Sequence, residues 1–373
     1  MKILFIGGTG ILSRDTVHYA VQCGYEVYLL NRGKRMQLAD AVCNSLIADI
    51  RKPEEVARAL GNQHFDVVID YLSYTTEQLQ NTLGIFNYRC EQFIFISSAT
   101  VYEKTVENEV FSENKSKKGN ERWIYASRKY ACERLLEENY RATGQKYTIV
   151  RPYVTYGDTR FPYALIPQNE QWSLAKRLIE GKAIPMWGKG NNVCTLTHTR
   201  DFAIAMVGLM GNPKAYNEDF HITSGMEYSW REIVELTAKA LGVQANIVEI
   251  PLDSLCQIVP EYAEILRGDK ATNMRFDNRK IKDAVPSFDC KIDFKMGIRD
   301  TIAFYQSHPQ LQVVNFRWDG RMDYLIAKAG FKDKNAGCPA DAGWKDKVAY
   351  YEGRYPVIRK ALGCLHQIKG KAK

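Results

Sequence analysis

No uninterrupted apolar stretch in the 373 residues approaches the roughly 20 that cross a bilayer, which excludes a membrane-spanning helix. The opening Met1 to Ile6 run meets Gly7 too soon to serve as the apolar region of a secretory signal. Nine scattered cysteines, an odd number with no Cys-x-x-Cys pair, exclude a disulfide scaffold and fit free thiols in a reducing cytosol, so a cytoplasmic location is expected. The six histidines form no His-Glu-x-x-His or other ligand spacing, and no metal is expected. An excess of charge of one sign is also lacking in the body of the chain. Residues 315–373 hold 13 Lys+Arg against 6 Asp+Glu, leaving 38 against 37 for the other 314 residues. A globally basic surface, expected of a dedicated nucleic-acid binder, is absent from that body.

What is present is the composition of a folded globular protein: 45% hydrophobic, 12% aromatic and 25% charged. Short β-rich runs at Lys2–Ile6, Glu26–Leu30, Ser45–Ala48, Asp66–Ile69, Gln92–Ile96 and Tyr147–Val150 alternate with helical stretches near 53–60, 75–86 and 122–142. Strands spaced by helices predict parallel pairing with both sheet faces covered, hence an α/β, Rossmann-type doubly wound sheet. The rhythm breaks after about residue 157. The expected organisation is a dinucleotide-type domain over 1–160, with 191–225 returning to it, a smaller substrate-binding lobe over 161–310, and a basic helical extension over 311–373. Ser229, three residues before Glu232, reads as a capping box opening a helix to Leu241.

Gly7-Gly8-Thr9-Gly10-Ile11-Leu12-Ser13 joins the first strand to the first helix, where backbone N–H groups and the helix dipole can hold a pyrophosphate. Gly7 allows the tight turn, Gly10 lets phosphates approach, and Ile11 and Leu12 begin the helix. The second strand ends at Asn31-Arg32-Gly33-Lys34, where an NAD-selective protein would place a carboxylate for the ribose 2′-hydroxyl. Asn31 carries no charge, while Arg32, aided by Lys34, can neutralise a 2′-phosphate. NADP is therefore the expected cofactor, with NAD the alternative. Asp49 and Ile50, past the third strand, are candidates to meet the adenine; the competing reading of Asp49 is a cap for the helix at Pro53.

Ser98 and Thr100 lie at the end of the fifth strand, and Tyr125 and Lys129 follow with i, i+4 spacing that puts both on one helix face. A phenol is a poor base near neutrality, but a neighbouring ammonium and a positively charged nicotinamide favour its phenolate. Tyr125 becomes an acid/base, Ser98 (with Thr100) orients the reacting oxygen, and Lys129 supports Tyr125 and holds ribose. A second Tyr-x-x-x-Lys, Tyr324 to Lys328, has no such context and is assigned no catalytic role.

Together with Arg151-Pro152, His198 to Phe202 and Arg267-Gly268-Asp269, these motifs resemble the extended and atypical short-chain dehydrogenase/reductases of the NAD-dependent epimerase/dehydratase family, over about residues 1–310. The resemblance implies a nucleotide-sugar substrate, contacts from Arg267 and Asp269 to its nucleotide, and a homodimer through the helices near 75–86 and 122–142. Dehydratases of that family carry acidic residues just after the strand-end hydroxyl. Here they are Ala99 and Thr100, which favours an epimerase or reductase. Glu103 in place of a glycine, and Cys194 in place of a phosphate-binding arginine, are further departures. The Asn31 to Lys34 loop and the Val67 to Asp70 strand end also look like the chloroplast stem-loop-binding branch. That supplies the rival expectation, RNA binding through the extension, whose Trp318, Tyr324, Trp344, Tyr350 and Tyr351 are expected instead to dock against the body.

Overall fold

The computed structural model describes residues 1–33, 42–105 and 109–358. Seven strands form one parallel sheet: β1 (Lys2–Ile6), β2 (Glu26–Asn31), β3 (Asn44–Ile47), β4 (Phe65–Asp70), β5 (Cys90–Ile96), β6 (Lys146–Pro152) and β7 (Glu218–Ile222). Their order across the sheet is β7-β6-β5-β4-β1-β2-β3. The order reverses between β1 and β4, where Ile6 pairs with Asp70, and a ligand crevice is expected at the strand C-termini there.

The helices α1 (Ile11–Gln22), α2 (Pro53–Leu60), α3 (Thr76–Phe86), α4 (Ile124–Thr143) and α5 (Thr199–Leu209) supply the two covering layers. Alternation along the strands explains the division. Ile3, Phe5, Val67 and Ile69 point to a core shared with Val17 of α1 and with Phe202 and Met206 of α5. Leu4, Ile6, Val68 and Phe95 point the other way, to Val56, Leu83 and Leu136 of α2, α3 and α4. Both faces being buried, the strands read as nearly continuous apolar runs.

The chain divides into two compact units. The first comprises 1–157, 193–227 and 272–293 and contains the whole sheet. The second comprises 158–192, 228–271 and, among the described residues, 294–358. Within it, Ala183–Trp187 pairs in parallel with Asn246–Ile250. The Ser229 capping box is present, Ser229 Oγ accepting from Glu232 N and Ser229 N donating to Glu232 Oε2 at 2.7 Å.

The extension carries α6 (Phe316–Lys328) and α7 (Trp344–Arg354). The two cross at glycines. A Cβ at Gly320 would lie 2.0 Å from the Tyr350 carbonyl oxygen, and one at Gly353 would lie 1.9 Å from that of Arg317. Arg177, fully buried, donates to Asp319 at 2.6 Å and Asp323 at 2.8 Å, and Lys182 reaches Asp319 at 2.5 Å. Trp318 and Tyr350 are buried by this packing, but Trp344 is 73% exposed and Tyr351 44%, so those two do not dock. The helix turns them away because α7 meets α6 through Tyr350, one residue before Tyr351, and Gly353, two residues after it. Of the 13 Lys+Arg in 315–373, five lie in 359–373, outside the described residues, with no Asp or Glu beside them.

Candidate active site

The glycine turn is built for close approach. Gly7 has φ +90°, and a Cβ there would lie 2.7 Å from Leu72 Cδ2; at Gly8 it would meet Leu29 at 2.5 Å. Ser13, fully inside, takes the place of a third glycine: its Oγ donates to the Gly7 carbonyl at 2.8 Å and accepts from Gly10 N at 3.0 Å. Gly10 is the N-cap of α1, Ile11 and Leu12 open the helix, and its first turn holds no acid. An anion is therefore not repelled there.

At the end of β2, Asn31 Oδ1 accepts from Gly33 N at 2.8 Å, and Asn31 Nδ2 is buried with no hydrogen-bond partner among the described residues. An uncharged side chain with a donor to spare suits a dinucleotide ribose, and the acid-free start of α1 at Gly10 suits its pyrophosphate. Arg32 is exposed, and Lys34 lies outside the described residues. Asp49 does not cap α2, whose N-cap is Lys52. Its carboxylate is instead gripped by Arg51 through bonds of 2.9 and 2.5 Å, which hold it well below the usual carboxylate range. Ile50, beside it, is half-buried.

Tyr125 and Lys129 occupy successive turns of α4 on its inward side. Lys129 is 2% exposed; its Nζ donates to the Ser73 and Ile96 carbonyls, both at 2.7 Å, and lies 4.4 Å from the Tyr74 ring. Burial pushes this ammonium down to about 8, against the opposing pull of Asp70. Ile96 ends β5, two residues before Ser98. Ser73 belongs to the turn after β4 whose Leu72 covers Gly7. Lys129 thus ties the glycine turn to the serine strand end. Ser98 Oγ accepts from Thr100 N at 3.3 Å and from Thr100 Oγ1 at 3.0 Å inside a short 3₁₀ turn, Ala99–Val101. The Tyr125 ring sits between those of Trp123, at 4.9 Å, and Tyr74, at 6.1 Å.

Arg267 and Asp269 lie in the second unit. Arg267 is half exposed and pairs with Asp253 at 2.8 Å; Asp269 is buried and pairs with Lys270 at 2.5 Å.

Several supporting contacts escaped the sequence reading. Glu133 continues the Tyr125, Lys129 ladder by another i+4 step, a signal that was available. It accepts from Ser97 Oγ at 2.5 Å and from Arg151 through two bonds of 2.8 Å. Arg151 also reaches Asp219 at 2.5 Å and Tyr102 Oη at 3.2 Å, and Tyr102 meets His221 at 3.1 Å. Asp70, wholly buried, accepts from Leu72 N at 2.7 Å and Ser73 N at 3.0 Å through Oδ1.

The family profile of the NAD-dependent epimerase/dehydratase family matches residues 3–223, the stretch that contains every element of this site in the first unit. The chain belongs to that family. It is 28% identical over 259 residues to the chloroplast stem-loop binding protein of 41 kDa b of Arabidopsis thaliana, an alignment covering 65% of this chain and 63% of that protein. A dTDP-glucose 4,6-dehydratase of Actinoplanes is 24% identical over 184 residues, 49% of this chain and 51% of the relative. The chain thus spans between half and just under two thirds of these relatives' length. Among solved structures, the UDP-glucose 4-epimerase of Thermotoga maritima with UDP-glucose superposes with a TM-score of 0.66 at 19% identity, covering 83% of this chain and all of that one. The family member described here therefore shares the Rossmann-type fold of these enzymes.

Proposed function

We propose that this family member is an NAD(P)-dependent epimerase or reductase acting on a sugar, most simply a nucleotide-linked one. The observation that carries the reading is the buried Lys129 ammonium, held by the Ser73 and Ile96 carbonyls at the junction of the glycine turn and the Ser98 strand end. Gly7, Gly10, Ile11 and Leu12 would hold the pyrophosphate, Asn31 and Arg32 the adenosine ribose end, and Lys129 the other ribose. The cofactor, when bound, accepts and returns a hydride.

The remaining chemistry belongs to the chain. Tyr125 Oη takes the proton from the sugar hydroxyl as its carbon is oxidised and returns it on reduction. Ser98 donates to the same oxygen, its own Oγ positioned by Thr100. Lys129, cationic below about pH 8, favours the phenolate of Tyr125. Elimination of water needs an acid and a base beside the strand-end hydroxyl. Ala99 and buried Thr100 supply neither, which favours epimerisation or reduction over dehydration.

The test is turnover of UDP- and dTDP-sugars with NAD(H) and NADP(H). Tyr125→Phe should lower kcat by about 10²- to 10⁴-fold with cofactor affinity retained; intact turnover would defeat the assignment. A second reading, RNA binding, is favoured by the stem-loop-binding name of the Arabidopsis relative. It predicts steeply salt-dependent RNA affinity and indifference to Tyr125→Phe.

A further inference from the structure

The turn between β4 and α3 is braced peptide by peptide. Asp70 Oδ1 takes the N–H groups of Leu72 and Ser73, Lys129 donates to the Ser73 carbonyl, and Gln78 Oε1 takes the N–H groups of Tyr74, at 2.8 Å, and Thr75, at 3.3 Å. Thr75 Oγ1 returns a bond from Gln78 N, completing a capping box for α3. A segment this thoroughly satisfied has little freedom left to lose on binding.

Yet it displays two large apolar side chains. Leu72 is 41% exposed and Tyr74 is 47% exposed, and on the facing start of α4 Ile124 is 53% exposed. The Tyr74 ring is fixed from beneath by Lys129 Nζ at 4.4 Å, and its neighbours are the rings of Tyr125 and, beyond it, Trp123. A rigid turn that presents apolar surface beside a reactive phenol is the profile of a recognition surface.

We infer that Tyr74 and Trp123, with Leu72 at the edge, form an aromatic platform for the substrate, taking the apolar C–H face of a pyranose ring so that a ring hydroxyl meets Tyr125. This rests on the proposed sugar oxidoreductase reading and adds the group that selects the sugar. One face of a pyranose gathers C–H bonds while its hydroxyls project at the rim. Stacking of that face on an aromatic ring removes apolar surface from water and leaves the rim hydroxyls free for Ser98 and Tyr125.

The experiment compares the affinity of UDP-glucose with that of UDP, and of dTDP-glucose with that of dTDP, in the cofactor-loaded protein. The sugar should tighten binding in the wild type. That gain should shrink by about fivefold to tenfold in Tyr74→Ala, on the scale of an aromatic contact, and also fall in Trp123→Ala, with Tyr74→Phe retaining it. Affinity for NAD(H) and NADP(H) should be unchanged in all three, which also reports that each variant is folded. A sugar-dependent gain that is absent from the wild type, or untouched by both alanine variants, overturns the platform while dinucleotide binding leaves the oxidoreductase reading standing. Failure of the wild type to bind either dinucleotide overturns both.

Discussion

Glu133 and Arg151 form a forked ion pair at the centre of the first unit, two bonds of 2.8 Å between side chains that are each almost wholly buried. Ser97 adds a third bond to the carboxylate, so Glu133 ties α4 both to β6 and to the end of β5. Removing one partner strands a charge in a medium that solvates it poorly. Glu133→Gln should therefore destabilise the protein by about 3 kcal/mol or more, read as a lower denaturation midpoint. A loss below about 1 kcal/mol would mean that Asp219, on the other side of Arg151, carries the compensation alone.

His221 gives the acid response. It is enclosed beside Tyr102, and burial pushes its imidazole down to about 4. The folded state thus binds fewer protons than the unfolded chain between about pH 6.5 and 4, so stability falls as pH is lowered through that window. The full effect of such a shift is about 3 kcal/mol. His221→Asn should flatten the stability profile between pH 6.5 and 4; an unaltered slope would assign the acid loss to other groups.

The proposed preference for NADP rests on Arg32. By fluorescence titration, Arg32→Ala should weaken NADP(H) by about tenfold, the scale of one charge-assisted contact, and leave NAD(H) within about twofold. Equal weakening of both would remove the 2′-phosphate contact from Arg32. Asn31→Asp should act in the same direction by repelling the phosphate.

In the extension, α6 and α7 meet backbone to backbone at Gly320 and Gly353. Gly320→Ala sets a methyl against the Tyr350 carbonyl, and relief requires separating the two helices. The expected cost is about 1 to 3 kcal/mol, as for other overpacked contacts, with earlier proteolytic cleavage within 329–343. A variant as resistant as the wild type would show that the helices slide without loss.

Dimerisation through α3 and α4 is testable by sedimentation. The outward positions of both helices are mostly polar, Gln80, Asn81, Arg128, Arg134 and Glu138 among them. A dimer built there should weaken with salt, and Arg128→Glu with Arg134→Glu should shift it to monomer.

Much of the first unit was legible because parallel strands buried on both faces write themselves as apolar runs, and each of the six runs named in 1–150 coincides with a strand to within two residues. The helix at Ser229 was legible from its cap. The glycine turn and the Tyr125, Lys129 pair were readable as motifs because the roles proposed for them require fixed local spacing. Glu133 with Arg151, and Asp70 with the Ser73 peptide, were not read, since their meaning lies in contacts made across the sheet and α4. The exposure of Trp344 and Tyr351 was hidden for a related reason: two glycines, not the aromatic residues, set how α6 and α7 meet.

Arg177 has a consequence for synthesis. Its counter-ions Asp319 and Asp323 are translated more than 140 residues later, and the guanidinium has no solvent contact once they arrive. A nascent chain halted anywhere before Asp319 holds a cation it can neither hydrate inside the unit nor neutralise. The packing around Arg177 therefore cannot be completed before α6 has been made.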